Sequence, residues 1–271
     1  MIEYLDIAVV AALKQIFGGF GMFLILALLL DWIGAKLQRT AHSLFGKGYD
    51  FVMIPGTMCR NAGEAIGCML TGTKMNRSVF SIDGRDYEVD RKRLPVGTPM
   101  AVVKRMIIIT GPIWFGCALI ICVSFIAGGT GLLPDTSGLV EDGKLPGVVG
   151  YSTSLLAGAI GMLGSMVFVW HWTSPFCLIC LYLFFTLATK MSISHRELLG
   201  IMSGLIIFAL ILFGLNLIPG IGTAILRLAV YLVPFVFLLH AILLFAFLLN
   251  VIFYLILRMV AGIFGKGKKA K

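Results

Sequence analysis

Three residues in one segment have side chains that could support ionic or metal chemistry. Arg60, Asn61 and Glu64 interrupt an otherwise apolar stretch over residues 51–72. Arg60 and Glu64 stand four positions apart, so on a helix they share one face and can form an ion pair. Ionisable groups in an apolar segment are costly unless they are paired, and they commonly mark a functional site. Two interpretations therefore stay open, a self-contained Arg60–Glu64 pair and a functional polar centre.

Two cysteines form a second group with chemical potential. Cys177 and Cys180 have C-x-x-C spacing at the beginning of an apolar run, and the chain contains six cysteines in all. Such a pair is a redox dithiol or half of a metal site in many proteins. Cysteine in an apolar helix more often packs as a small hydrophobic side chain. Thiol redox chemistry at Cys177 and Cys180 is therefore kept as an alternative.

The histidines give weaker indications. His240 lies deep in the last apolar run, where we expect it to bond another helix or a helix carbonyl. His195 stands two positions before Glu197, so a metal site made of these two residues and Glu64 is a further alternative. Our main expectation is that the chain holds no metal and no cofactor.

The composition indicates which elements must position these residues. Of the 271 residues, 59% are hydrophobic and 13% are charged, whereas soluble domains carry about 25% charged residues. A soluble globule cannot bury so large an apolar fraction, because its accessible surface grows too steeply with its mass. The sequence therefore predicts an integral membrane protein. It excludes a soluble enzyme, a disordered chain and a disulfide scaffold.

Six apolar runs are long enough to cross a bilayer, which requires roughly 20 helical residues. They cover residues 16–35, 102–128, 151–172, 174–190, 198–219 and 223–262, and residues 51–72 form a weaker seventh segment. The last run, with Pro234 inside it, predicts either one long helix or two segments. We predict an all-α polytopic membrane protein with six or seven transmembrane helices, forming a single membrane domain over residues 1–271.

The hydrophilic regions predict one small β-hairpin insertion and contact with charged lipid headgroups. Residues 73–101 form the longest polar stretch, and Asp83-Gly84 within it is flanked by alternating apolar positions. This pattern predicts a β-hairpin over residues 79–89.

The net charge is +9, with Lys and Arg gathered in short loops and at the C-terminus. Such placement favours contact with anionic lipid headgroups and not with nucleic acid.

The segment around Arg60 resembles a known motif. Residues 54–72, IPGTMCRNAGEAIGCMLTG, look like the first core helix of site-2-protease-like intramembrane zinc metalloproteases. The pattern of that helix resembles P-G-T-x-x-H-E-x-x-H-A, followed by an apolar run and T-G. The matching residues are Pro55, Gly56, Thr57, Ala65, Thr71 and Gly72. Residues 190–200 resemble the family segment M-S-x-S-x-x-D-L-x-G, with Glu197 in place of the Asp. The resemblance covers about residues 51–215.

All three positions to which the resemblance assigns catalysis differ in this chain. Arg60 replaces the first His, Asn61 the Glu and Glu64 the second His. A guanidinium is permanently cationic and cannot bind zinc, and an amide cannot activate a metal-bound water as a carboxylate does. The resemblance therefore implies a pseudoprotease without catalytic residues. An ion cluster of Arg60, Glu64 and Glu197 would stand at the degenerate site and hold core helices together.

From the sequence we thus predict a catalytically inactive protein that acts as a scaffold or accessory subunit of a membrane complex, and not an enzyme. Its expected partners are membrane lipids and either other membrane subunits or further copies of the chain. The expected location is a prokaryotic cytoplasmic (inner) membrane. Two alternatives stay open. One is a membrane thiol oxidoreductase, and the other is a transporter or channel whose polar pathway includes Arg60, Glu64, Glu197 and His240.

Overall fold

The computed structural model describes residues 21–73, 98–128, 132–136, 148–168, 175–192, 195–216, 218 and 221–263. For some residues within these ranges, Glu197 among them, only the backbone is described. The described residues form eight α-helices. They are α1 (Met22–Phe45), α2 (Gly48–Val52), α3 (Ile54–Thr71), α4 (Pro99–Gly128), α5 (Val148–Phe168), α6 (Pro175–Lys190), α7 (His195–Asn216) and α8 (Ile221–Ile263).

Two helices of the described part of the chain are long and apolar enough to cross a membrane. The segments are Met100–Ala127 in α4 and Val230–Ile263 in α8. The prediction of six or seven transmembrane helices is therefore wrong. The shortest of the predicted spans, α6, has 16 residues. At 1.5 Å per residue it reaches about 24 Å, which is less than the roughly 30 Å of a hydrocarbon core.

Charged residues account for two further differences from the predicted count. α1 carries Asp31, Lys36 and Arg39 within its 24 residues, and α3 carries Arg60 and Glu64 within its 18 residues. Counting apolar runs in the sequence gave these interruptions too little weight. The β-hairpin predicted at residues 79–89 lies outside the described residues, and no strand occurs within the ranges given above.

The last apolar run forms one continuous helix and not two segments. α8 extends over 43 residues with Pro234 inside it, which corresponds to about 65 Å of helix. It packs along α1 and also contacts α5, α6 and α7. Large buried side chains fill the space between the helices, such as Phe184 of α6 and Phe245 of α8, whose rings meet edge to face at 5.8 Å.

The helix that carries the polar residues has clear signals at both ends. α3 begins with Pro55 in its first turn, where the missing N–H of proline costs no hydrogen bond. Its C-terminal cap is Gly72, which adopts a left-handed conformation with φ of 64° and ends the helix without steric cost. α3 packs mainly on α4 and on α6.

Candidate functional site on helix α3

Glycines bring α3 close to both of its neighbours. A Cβ atom added to Gly63 would lie 2.6 Å from the Cα of Pro112 on α4. A Cβ atom on Gly56 would collide with the carbonyl oxygen of Thr186 on α6. Small residues at such positions allow helix backbones to approach one another closely. α3 is therefore held between α4 and α6 by backbone contacts that no larger residue would permit.

Arg60 and Glu64 form an ion pair on this closely packed helix. Arg60 Nε donates a hydrogen bond to Glu64 Oε1 at 3.3 Å. The Glu64 side chain is 9% exposed and the Arg60 side chain is 24% exposed. The carboxylate is thus enclosed by the protein, whereas the guanidinium reaches toward its edge.

The polar residues of α3 face the protein interior. Asn61, Glu64 and Thr71 are all buried, and Thr71 Oγ1 donates to the carbonyl oxygen of Gly67 at 2.9 Å. The exposed face of the helix is apolar instead, with the side chains of Met58, Ile66, Met69 and Leu70. This arrangement is the reverse of the polar-outside pattern of a helix on a soluble protein.

Glu197 and His195 lie in the first turn of α7, but their side chains are outside the described residues. α4 packs against both α3 and α7. The addition of Glu197 to the Arg60–Glu64 pair therefore stays a prediction, and so does a metal site at His195, Glu197 and Glu64.

The two C-x-x-C cysteines lie in the first turns of α6. Both have free thiols, with Cys180 buried and Cys177 half-buried. They stand three positions apart, so they share one side of the helix. Cys180 also belongs to the main apolar core, together with Cys59 and Cys117. The burial of Cys180 is typical of a cysteine that packs as a small apolar side chain, and the use of the pair as a dithiol stays a prediction.

Other helices are joined by polar contacts inside the apolar core. His240 of α8 is buried, and its Nδ1 lies 2.6 Å from Tyr151 Oη of α5. Asn250 of α8 is fully buried, and its Nδ2 donates to the carbonyl oxygen of Ala188 on α6 at 3.1 Å. The sequence reasoning overlooked Asn250, although an amide inside a long apolar run is itself a signal.

The corner between α1 and α3 contains a second group of polar side chains. His42 Nε2 lies 3.2 Å from Asp50 Oδ1, and the His42 ring meets the ring of Tyr49 edge to face. Burial raises the pKa of Tyr49 to about 12, with the Asp50 carboxylate as a second cause. Tyr182 Oη of α6 donates to the carbonyl oxygen of Val52 at 2.7 Å. These contacts fix α2 against its surroundings.

Within the described ranges, no group of three or more His, Cys, Asp or Glu side chains is arranged to hold a metal ion. Comparisons with protein-family models, with curated proteins and with solved structures find no match to this chain. The likeness to intramembrane zinc metalloproteases therefore rests on the sequence motifs alone, and a relationship to that family is a proposal.

Proposed function

We propose that the chain is a non-catalytic, membrane-embedded relative of site-2-protease-like metalloproteases and that it serves as a scaffold or accessory subunit of a membrane complex. The observation that carries this proposal is the contact between Arg60 Nε and Glu64 Oε1. These residues occupy the two positions that the resemblance assigns to zinc-binding histidines. An internal ion pair therefore takes the place of a metal-binding pair.

The chemistry of these side chains supports a role without catalysis. A guanidinium donates hydrogen bonds and has no lone pair available for a metal. The buried amide of Asn61 cannot take a proton from a water molecule as a general base does. The positive charge of Arg60 instead neutralises Glu64 within a helix that glycine contacts hold in place. This arrangement supports a structural role for α3.

The proposed membrane placement is supported by the two apolar segments in α4 and α8. In an 18-residue apolar window of each segment, 44% and 50% of the residues respectively are buried inside the protein. The remaining apolar side chains are suited to contact lipid acyl chains or other membrane subunits. The proposed location stays the prokaryotic cytoplasmic (inner) membrane that the sequence predicts.

The outer face of α5 supports the proposed association with further subunits. Ala157 and Gly161 are exposed on this helix, and a Cβ atom added to Gly161 would meet no atom within 4 Å. Small residues four positions apart permit close packing of another membrane helix. A further copy of this chain and a different subunit both fit this face.

The proposed relationship can be tested by rebuilding the metal-binding motif. The triple variant R60H/N61E/E64H creates an H-E-x-x-H sequence on α3, whose two His side chains would share one helical face. We expect the purified triple variant to bind about one zinc ion per chain, as such motifs do. The control variant R60Q/N61E/E64Q has the same charge change at position 61 but no His ligand. Equal zinc contents in the two variants, both folded, would contradict the resemblance.

The scaffold role requires a separate experiment. We expect the wild-type chain, purified from its native membrane in mild detergent, to retain at least one other membrane protein. Arg60→Ala should reduce the retained amount, because the enclosed Glu64 would lose its counter-charge. Cleavage of a membrane-spanning peptide by the isolated wild-type chain would refute a non-catalytic role.

Thiol oxidoreductase activity is the second candidate, because Cys177 and Cys180 have C-x-x-C spacing and lie within one helical turn of each other. The variant C177S/C180S separates the two proposals. Retention of the native partner by this variant supports the scaffold. Loss of a thiol-dependent activity without loss of folding supports the oxidoreductase.

A further inference from the structure

Arg105 lies near the beginning of α4, inside the segment Met100–Ala127 that is long and apolar enough to cross a membrane. Its Nε atom is buried and has no hydrogen-bond partner within the described part of the chain. The neighbouring Lys104 is, like Arg105, half-buried. A cation in such a segment is costly unless an anion lies beside it. A negatively charged group beside Arg105 would satisfy this atom, and Lys104 stands next to it.

The direction of α3 relative to α4 shows what lies beside these cations. A Cβ atom on Gly63 would lie 2.6 Å from the Cα of Pro112, and a Cβ atom on Gly67 would lie 2.8 Å from the Cα of Ile108. One helical turn forward on α3 thus corresponds to one turn backward on α4, so the helices are antiparallel. The next turn brings residues 69–71 to the level of residues 104–105.

The side chains at the end of α3 are strongly exposed. Met69 is 78% exposed and Leu70 is 75% exposed, and Ile66 one turn earlier is also exposed. The polar residues of the same helix point inward, so this outer face has no charged group among its exposed residues. Such a surface is costly in water and favourable against acyl chains.

We propose that an anionic phospholipid binds at this edge of α3 and α4. Its phosphate accepts hydrogen bonds from Arg105 and Lys104, and its acyl chains lie along Ile66, Met69 and Leu70. A phosphate and a guanidinium form strong, charge-assisted hydrogen bonds. The site thus offers cationic side chains to the phosphate and an apolar surface to the acyl chains. The inference rests on the membrane placement proposed above.

The charge of the flanking sequence agrees with an anionic lipid. α3 is preceded by Lys36, Arg39 and Lys47, and residues 74–93 after it contain six basic and four acidic residues, a net charge of +2. Basic residues next to membrane-embedded helices attract anionic headgroups. Phosphatidylglycerol is therefore a suitable probe. Phosphatidylcholine of the same chain length is the zwitterionic reference, because its own choline cation neutralises its phosphate.

The test uses the full-length chain in detergent and measures its thermal unfolding while each lipid is added. We expect apparent binding of phosphatidylglycerol to be about tenfold tighter than that of phosphatidylcholine, consistent with one buried charge-assisted contact. Arg105→Gln should abolish this preference, and Arg105→Lys should retain part of it. The matched control is Arg227→Gln, since Arg227 is an exposed guanidinium on α8 outside the segment Val230–Ile263 and its removal should leave the preference unchanged.

A second variant tests the apolar half of the site and does not depend on the charge. Leu70→Ser should weaken binding of long-chain phosphatidylglycerol severalfold and leave binding of a short-chain form unchanged. Equal binding of both lipids by the wild type, or an unaltered preference in Arg105→Gln, would overturn the proposal. A response to inorganic phosphate alone that equals the response to lipid would also overturn it. Failure of the chain to insert into phosphatidylglycerol vesicles would instead refute the membrane placement itself.

Discussion

Removing one partner of the Arg60–Glu64 pair should destabilise the protein unequally, depending on which partner is lost. Arg60→Met leaves the Glu64 carboxylate, which is 9% exposed, without its counter-charge. Breaking an enclosed pair in this way costs about 3 kcal/mol. Glu64→Gln leaves the Arg60 guanidinium, which is 24% exposed and can turn toward the edge of the protein. We expect about 1 kcal/mol for that variant, because a partly exposed charge retains some solvation.

The double variant R60M/E64Q allows the interaction energy between the two residues to be measured apart from the effect of each single substitution. It contains neither charge, so its loss of stability should be about 2 kcal/mol, smaller than the sum of the single losses. The resulting coupling energy of about 2 kcal/mol lies within the range for residues in contact.

The measurement is the free energy of unfolding in mixed micelles, followed by circular dichroism while a denaturing detergent is added. Arg227→Met on α8, exposed and outside the segment Val230–Ile263, is the control, and it should change stability by less than about 0.5 kcal/mol, as exposed substitutions usually do. Strictly additive losses would show that the contact between Arg60 and Glu64 does not stabilise α3. Equal losses for the two single variants would refute the argument from their unequal exposure.

Three further predictions concern the contacts around α3, α2 and α8. Gly63→Ala should lower the free energy of unfolding by about 2 kcal/mol because the added Cβ meets the backbone of α4. Gly161→Ala is the control and should cause no loss, since open space surrounds Gly161. Equal unfolding energies of the two variants would contradict the close approach of α3 to α4. Tyr49 has a pKa of about 12 when folded and 10.0 as its ordinary value, so the unfolded chain releases its proton first as the pH rises. The free energy of unfolding should therefore fall by up to about 3 kcal/mol between about pH 10 and pH 12. Titration of the phenolate absorbance checks the pKa of Tyr49. A Tyr49→Phe variant that loses as much stability at alkaline pH as the wild type would contradict the role of Tyr49. Asn250→Leu should cost about 1 kcal/mol through the lost contact with the Ala188 carbonyl, and an unfolding energy at or above the wild-type value would contradict this reasoning.

The sequence alone could indicate the pairing on α3 because that contact is local. Arg60 and Glu64 stand four residues apart, and helix geometry alone places such residues side by side. The antiparallel packing of α3 on α4 could not be derived in this way. Its closest contact joins Gly63 to residues 111 and 112, and glycines are too frequent in the chain, with 32 in total, to identify the few that touch.

The number of membrane-crossing helices was predicted incorrectly for a related physical reason. Hydropathy measures the apolar content of a segment, but it does not show whether the apolar side chains face lipid or other helices. α6 contains a run of buried residues from Phe184 to Thr189, and its apolar character serves the protein core. Hydropathy also does not mark the ends of α6, whose 16 residues are too few to cross a bilayer.

The inward orientation of the polar face of α3 has a consequence for the biosynthesis of the chain. Translation proceeds from the N-terminus, so α3 leaves the ribosome before either helix that covers its polar residues. α4 ends at Gly128 and α6 at Lys190, which means that more than a hundred residues are synthesised between the appearance of Glu64 and the completion of its surroundings. Until then the nascent segment exposes Asn61 and Glu64, and its final placement has to wait for a helix that is made later.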